Sequence, residues 1–439
     1  MDRETRGLLK AAVRDDMAAQ LGDEARDEQT VRTFVERALT TVALEFGVRL
    51  SRIESEELAA AMVDDFLHYG PLQTLLEDDE VTEIMANGGG VDRSDPGLPF
   101  LPPAVYVERA GKIERRYDIA FDDAAHLRRI IDKIAEQAGL RCDDSHAMGC
   151  AMLPGGMARA TYVVPPIAPD GPSLNLRTFK ADLLTMDDLE RVGSLTYAVS
   201  EFLHSAVAAR CPILVSGGTG SGKTTLLNAL SGFIPSEERV ITIEDTPELR
   251  LQVPHVERMQ TREANVEGEG AVSMRDLVSI SLRRRPDRII VGECRGAEAY
   301  DMLQAMQTDH PGSMTTIHAN DPDNAISRLC TMVGYADADL SHDVIVRQIA
   351  ESLQGGLIVH VERLPDGRRT VTSVVALDPL PDDAKVIPRV ELFSYVVEGV
   401  DDGGRVVGRW KACDIQPQRI RERMAKAGAW YDPAWFFDD

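Results

Sequence analysis

The chain has 439 residues, 44% of them hydrophobic, and a formal net charge of −24. That length points to roughly two to four domains, and the apolar content excludes global disorder. The acidic balance repels nucleic-acid backbones and anionic head groups, so nucleic acid is not expected as a partner. The opening MDRETRGLLKAAVRDD carries acids from position 2 and lacks a signal-peptide core. No run approaches the ~18 apolar residues of a membrane-spanning helix, so direct membrane insertion is not expected. Cys142, Cys150, Cys211, Cys294, Cys330 and Cys413 show no CxxC spacing. They read as reduced, structural thiols of a cytoplasmic protein without a zinc site.

Residues 1–67 read as helical. In VRTFVERALTTVALEF, Val31, Phe34, Val35, Ala38, Leu39, Val42 and Phe46 recur at three and four, which is one helix face. The first 25 or so residues are placed to fray. Residues 68–180 read as a smaller α+β domain. VTEIMANG, AVYVERAGKIERRY, ARATYVVPP and SLNLRTF are strand-like, and DDAAHLRRIIDKIAEQAG is a helix capped by Asp122 or Asp123 and ended at Gly139. Gly89–Pro103 has the composition of a loop. Residues 181–192 read as a linker. From 193 to 378 helices and strands alternate, which implies a parallel sheet covered by helices. Residues 379–439 read as a mixed tail ending in Trp430, Tyr431, Trp435, Phe436 and Phe437, a cluster expected to pack on the protein's own surface.

GGTGSGKTT, Gly217 to Thr225, carries the strongest chemical signal. The pattern G-x-x-x-x-G-K-[ST] spans Gly217, Gly218, Thr219, Gly220, Ser221, Gly222, Lys223 and Thr224. Glycines let successive N–H groups turn onto phosphate oxygens, and the following helix adds its positive end. Lys223 is expected on the β- and γ-phosphates of ATP and the Thr224 hydroxyl on Mg²⁺.

Three further segments place polar groups at predicted strand ends. RIIVGE ends at Gly292-Glu293, where a Walker B carboxylate belongs; Gly292 stands in the usual metal-binding aspartate's place, so Glu293 is the group expected to orient the attacking water. VITIEDTPEL brings Glu244, Asp245 and Glu248, with Glu244 expected near Mg²⁺ and Glu248 sharing the water-activating role. SMTTIHAN brings His318, among Thr315, Thr316 and Asn320, as a γ-phosphate sensor or coupling group.

In this order, GGTGSGKTT, TIEDTPEL, VGECRG and TTIHAN resemble the motifs of the type II/type IV secretion ATPase superfamily, with LRRRPDRIIVGE as a further similar stretch. YGPLQTLLEDDEVTEIMANG and PPIAPDGPSLNLRTF look like the CpaF-type ATPases of Flp/Tad pilus assembly. The resemblance implies a RecA-like P-loop ATPase domain hinged to an N-terminal domain, a homo-oligomer of hexameric form, a cytoplasmic location and docking to inner-membrane platform proteins. It makes Glu244 and Glu248 the Asp-box acids, Glu293 the catalytic glutamate and His318 the His-box histidine. It also makes Arg177 and Arg159 the arginines that reach the γ-phosphate on domain closure, with Arg258, Arg262, Arg283 and Arg285 at subunit or domain interfaces. The chain departs from the pattern in its long Gly89–Pro103 segment, in Asp309 and Pro311 before the His box, and in Cys294 after the glutamate, expected buried and inert. The expected function is an ATP-hydrolysing pilus-assembly motor. A nucleotide-gated scaffold without turnover and a RecA-like DNA translocase stand as alternatives.

Overall fold

The computed structural model describes residues 3–20, 27–89, 103–109, 111–179, 184–262, 264, 269–308, 310–336 and 339–436. Most of the Gly89–Pro103 loop, Asp309 and Phe437 lie outside these described residues. The chain divides into two compact units, Met1–Lys180 and Ala181–Asp439.

The first unit opens with α1 (Arg3–Gln20), α2 (Glu28–Glu45) and α3 (Arg52–Leu67). In α1, Leu9, Val13 and Met17 lie four apart, share one face and are fully buried. They pack with Val35 and Leu39 of α2 and Leu58 and Met62 of α3. The segment expected to fray is therefore helical as far as Gln20 and packed as far as Met17. Phe46, grouped with the α2 face by spacing, is the residue after the helix and stays half-exposed. Ser51 and Glu54 form a capping box that starts α3.

A short turn and α4 (Gln73–Leu76) lead into β1 (Val81–Asn87), β2 (Ala104–Arg109), β3 (Lys112–Arg116), α5 (Ala124–Gln137), β4 (Met148–Met152), β5 (Ala158–Val163) and β6 (Ser173–Thr178). The strands form a sheet in the order β3-β2-β1-β6-β5-β4 with antiparallel neighbours. Leu127, Ile130, Ile131 and Ile134 of α5 join one core with Leu174 and Leu176. Asp123 caps α5, accepting from the His126 N–H, and Gly139 follows the helix at φ 68°.

The second unit comprises α6 (Met186–Arg191), α7 (Tyr197–Ala208), β7 (Ile213–Gly217), α8 (Lys223–Ser231), β8 (Val240–Glu244), β9 (Val256–Gln260), α9 (Met274–Ser281), β10 (Arg288–Cys294), α10 (Glu298–Gln307), β11 (Met314–His318), α11 (Pro322–Ala336), α12 (His342–Leu353), β12 (Leu357–Arg363), β13 (Arg369–Leu377), β14 (Arg389–Val400), β15 (Val406–Ala412) and α13 (Gln418–Ala427). One nine-stranded sheet runs β15-β14-β13-β12-β7-β11-β10-β8-β9. From β12 to β9 the neighbours are parallel; β13, β14 and β15 extend the sheet antiparallel. The parallel part answers the alternating sequence pattern. The antiparallel extension was not anticipated, and it carries the sheet beyond residue 378.

Successive residues of β7 point to opposite faces, so Ile213 and Val215 enter one core while Leu214 enters the other. The first core takes in α7, α8 and the C-terminal aromatics, and the second α9 to α12. Trp435 and Phe436 are buried and meet the Phe202 ring edge-on at 6.1 and 5.6 Å, while Trp430 stays half-exposed. Met186 and Leu189, in the expected linker, are buried in this same core.

Candidate functional site

The phosphate loop joins β7 to α8, with Gly217 closing the strand and Lys223 opening the helix. Its glycines have separate reasons. A Cβ on Gly217 would sit 2.3 Å from the Val361 carbonyl oxygen, so only glycine lets β12 approach. Gly220 and Gly222 have φ of 69° and 102°, in the left-handed region. Ser221 Oγ donates to the Gly218 carbonyl at 2.9 Å, tightening the turn. Lys223 Nζ donates to the carbonyls of Gly217 and Gly218 at 3.0 and 2.7 Å, so its ammonium lies over the loop. Thr224 and Thr225 follow in the first turn of α8, where unpaired backbone N–H groups favour an anion.

Because β7, β11, β10 and β8 are parallel and adjacent in that order, their C-terminal ends share one sheet edge. Gly217, His318, Glu293 and Glu244 are thereby gathered from four separate segments. His318 Nδ1 donates to the Gly217 carbonyl at 3.1 Å, which leaves Nε2 to accept from the Thr219 hydroxyl at 3.4 Å. Burial and the Lys223 charge hold this imidazole below its ordinary pKa, favouring the neutral ring. Glu293 Oε2 accepts from Arg295 Nε and Nη2 at 3.0 and 2.6 Å.

Glu244 is 3% exposed. Its Oε1 accepts the backbone N–H groups of Glu248 and Leu249 at 2.8 and 2.7 Å; its Oε2 is buried without a hydrogen-bond partner. Burial pushes this carboxyl up to about 7. A Cβ at Gly292 would meet Glu244 Cγ at 2.9 Å. The place of the expected Walker B aspartate is thus filled from the neighbouring strand: Gly292 is bare because Glu244 lies against it. Glu248 joins the cluster through its backbone N–H. Cys294 is fully buried against Met302 Sδ and the Thr315 hydroxyl, and burial pushes its thiol up to about 12, which fits an inert role.

Arg159 and Arg177 belong to the first unit. They are direct cross-strand partners in β5 and β6, with Glu83 of β1 opposite Arg177 on the other side. Each is partly exposed beside a buried neighbour, Ala160, Leu176 or Ile84, and as cross-strand partners the three share the sheet face away from α5. Arg258 and Arg262 donate to the carbonyls of Pro247 and Gly270 within the second unit.

Sequence reasoning missed three residues. Arg369 Nε donates to the Gly220 carbonyl at 2.9 Å, from a strand 149 residues on. Beside it an apolar cavity of about 250 Å³ runs along the loop, walled by Leu189, Val192, Val361 and Val371. His360, buried in β12, meets the Ser216 hydroxyl at 2.8 Å directly before the loop. Its signal was a lone histidine in the apolar run LIVHVE. Arg295 stood in plain view in VGECRG, without a sign that it would fold back on Glu293.

The donor set fits a nucleotide with a divalent cation. The loop is a cradle that a Cβ at Gly217 would fill, and the orphaned Glu244 oxygen is a donor of the kind that hard cations take. In the first unit, Asp65, Asp122 and His126 also converge, but Lys10 Nζ, 3.5 and 3.1 Å from the two carboxylates, supplies the cation there.

Residues 101–369 match the family described as type II/IV secretion system protein. The chain belongs to that family. Among its relatives, a putative conjugal transfer protein of Mycobacterium tuberculosis is 36% identical over 313 residues, 70% of this chain and 84% of that one. The type IV secretion system protein PtlH of Bordetella pertussis is 42% identical over 189 residues, 42% of this chain and 55% of PtlH. The solved VirB11 ATPase of the Brucella suis type IV secretion system is 29% identical, covering 73% of this chain and 96% of its own at a TM-score of 0.35. Membership of the secretion family rests on the matched region and the sequence relatives. Among the described residues, no helix is long and apolar enough to cross a membrane.

Proposed function

We propose that this secretion-family chain is a Mg²⁺-dependent ATPase motor of a type IV pilus or secretion machine, of the Flp/Tad assembly kind. It works as a homo-hexamer on the cytoplasmic side, docked to inner-membrane platform proteins. The observation that carries the reading is the shared sheet edge, where Lys223, Glu293, His318 and Glu244 converge around a loop shaped for phosphates.

In this reading Lys223 and the loop N–H groups from Gly218 to Thr225 hold the phosphates, and Thr224 and Glu244 hold Mg²⁺, which neutralises charge on the phosphoryl oxygens. Glu293, with Glu248 in support, orients the attacking water. His318, neutral and tied to Gly217 and Thr219, relates the state of the loop to β11. The apolar cavity beside Arg369 takes the nucleotide base. Arg177, with Arg159 beside it, supplies positive charge to the γ-phosphate only in a closed state, so ATP favours closure and hydrolysis relaxes it. Arg177→Ala is expected to weaken hydrolysis more than nucleotide binding, measured by turnover and by titration of a fluorescent ADP analogue.

The deciding experiment is steady-state ATP hydrolysis with Mg²⁺ over a range of protein concentrations. Specific activity that rises with concentration and falls on the order of 10²–10⁴-fold in Glu293→Gln supports an oligomeric ATPase. Nucleotide binding without turnover at any concentration turns the reading to a scaffold. Salt-dependent DNA affinity would point to a translocase.

A further inference from the structure

We propose that Arg295 is a positioning residue for Glu293: its guanidinium pins one carboxylate oxygen and leaves the other to orient the attacking water. The inference rests on the ATPase reading above.

Arg295 Nε and Nη2 both donate to Glu293 Oε2, at 3.0 and 2.6 Å. Glu293 Oε1 makes no hydrogen bond among the described residues. One oxygen is therefore an anchor and the other an open acceptor. The anchor is itself held. Glu298 Oε1 accepts the backbone N–H groups of Arg295 and Gly296 at 2.6 and 2.7 Å, fixing the turn into α10. On its other side, Arg295 Nη1 lies 3.9 Å from Asp245 at the end of β8. The guanidinium thus spans the ends of two strands, and it lines the same polar cavity as His318 and Asn320.

A merely structural pair explains this less well. The Arg295 side chain is 59% exposed, and exposed pairs contribute little to stability. Glutamate has three rotatable side-chain bonds and would sample several orientations at a strand end. A two-point hold on one oxygen removes that freedom, and misplacing a catalytic group by about 1 Å costs on the order of 10²-fold in rate. Lysine can offer only a point charge in place of the planar fork.

The test uses the full chain with Mg²⁺ and ATP. Arg295→Ala is expected to lower kcat about 10²-fold while KM and ADP-analogue affinity stay at wild-type values, the latter also showing that the variant folds. Arg295→Lys recovers part of the loss. Added guanidinium ion at millimolar concentration restores turnover to Arg295→Ala, which a structural lesion would not allow. On a Glu293→Gln background, Arg295→Ala adds no further loss. Wild-type kcat in Arg295→Ala, a kcat above wild type, equal loss of affinity and turnover, or failure of guanidinium rescue each overturns the proposal. Wild-type turnover in Glu293→Gln would overturn the proposal together with the role of Glu293, whereas nucleotide binding without turnover in the unaltered chain would sink the ATPase reading itself.

Discussion

Each unit holds carboxylates largely out of water, and the two sites are finished differently. In the first unit, Lys10 and His126 meet Asp65 and Asp122: His126 Nε2 lies 2.8 Å from Asp65, and Lys10 Nζ 3.1 Å from Asp122. Lys133 Nζ completes the end of α3, donating to the carbonyls of Asp65, Phe66 and His68 at 2.7, 2.9 and 2.8 Å. In the second unit, Glu244 is more deeply buried than those two carboxylates and keeps one oxygen without a hydrogen-bond partner. A satisfied network ties elements together. A buried orphan acceptor costs about 1–3 kcal/mol, and more when charged, unless something binds there. The first cluster is therefore read as a clamp between α1, α3 and α5, and the second as a place prepared for a ligand.

The largest effect that would sharpen this contrast lies in the second unit. Glu293→Gln should reduce kcat by on the order of 10²–10⁴-fold, the usual contribution of a positioned base, with nucleotide affinity retained in a binding titration. Next, Lys10→Met should destabilise the first unit by about 1–3 kcal/mol, because two carboxylates lose their cation; denaturant unfolding of the full chain, monitored within that unit, measures it. Unchanged stability would break the clamp interpretation. Gly292→Ala should cost a similar ~1–3 kcal/mol by overpacking against Glu244 and should weaken Mg²⁺-dependent nucleotide binding. A fully active Gly292→Ala variant would break the link between the two strands.

The smallest effect is a pH dependence. Burial opposes the charged ring, but the hydrogen bonds that His126 donates to the Asp122 and Asp65 carboxylates outweigh it and raise its pKa. The folded state therefore binds this proton more tightly than the unfolded state does. The stabilisation is complete below the ordinary histidine value of about 6.5 and is lost as pH rises through the raised folded value. His126→Gln should flatten that slope in pH-dependent melting curves, whereas a slope of opposite sign would show that burial wins.

The phosphate loop was legible because its chemistry is local: glycines, lysine and threonine fall within one turn, and the strand before and helix after them are short-range patterns. His318, Glu293 and Glu244 were legible as strand-end residues, since hydrophobic runs mark where strands stop. Their partners were not. Arg369 reaches Gly220, and Glu244 reaches Gly292, across sequence distances that no periodicity spans. β4, the short run MGCAM, lacks the β-branched and aromatic residues that signal a strand. β14 and β15 were hidden for another reason. Having one exposed face, they alternate weakly and lack the continuous apolar run of the central strands.

The space a side chain at 292 would need is filled by Glu244, so position 292 cannot gain one while 244 stays as it is. Any descendant that gains a side chain at 292 must shorten residue 244 in the same step, or pass through a crowded, unstable form. The carboxylate itself is transferable: Gly292→Asp combined with Glu244→Ala would move it from β8 to β10 while keeping the space filled. Such a swap offers a route by which a lineage could exchange one acidic-site architecture for the other, provided that both changes arrive together.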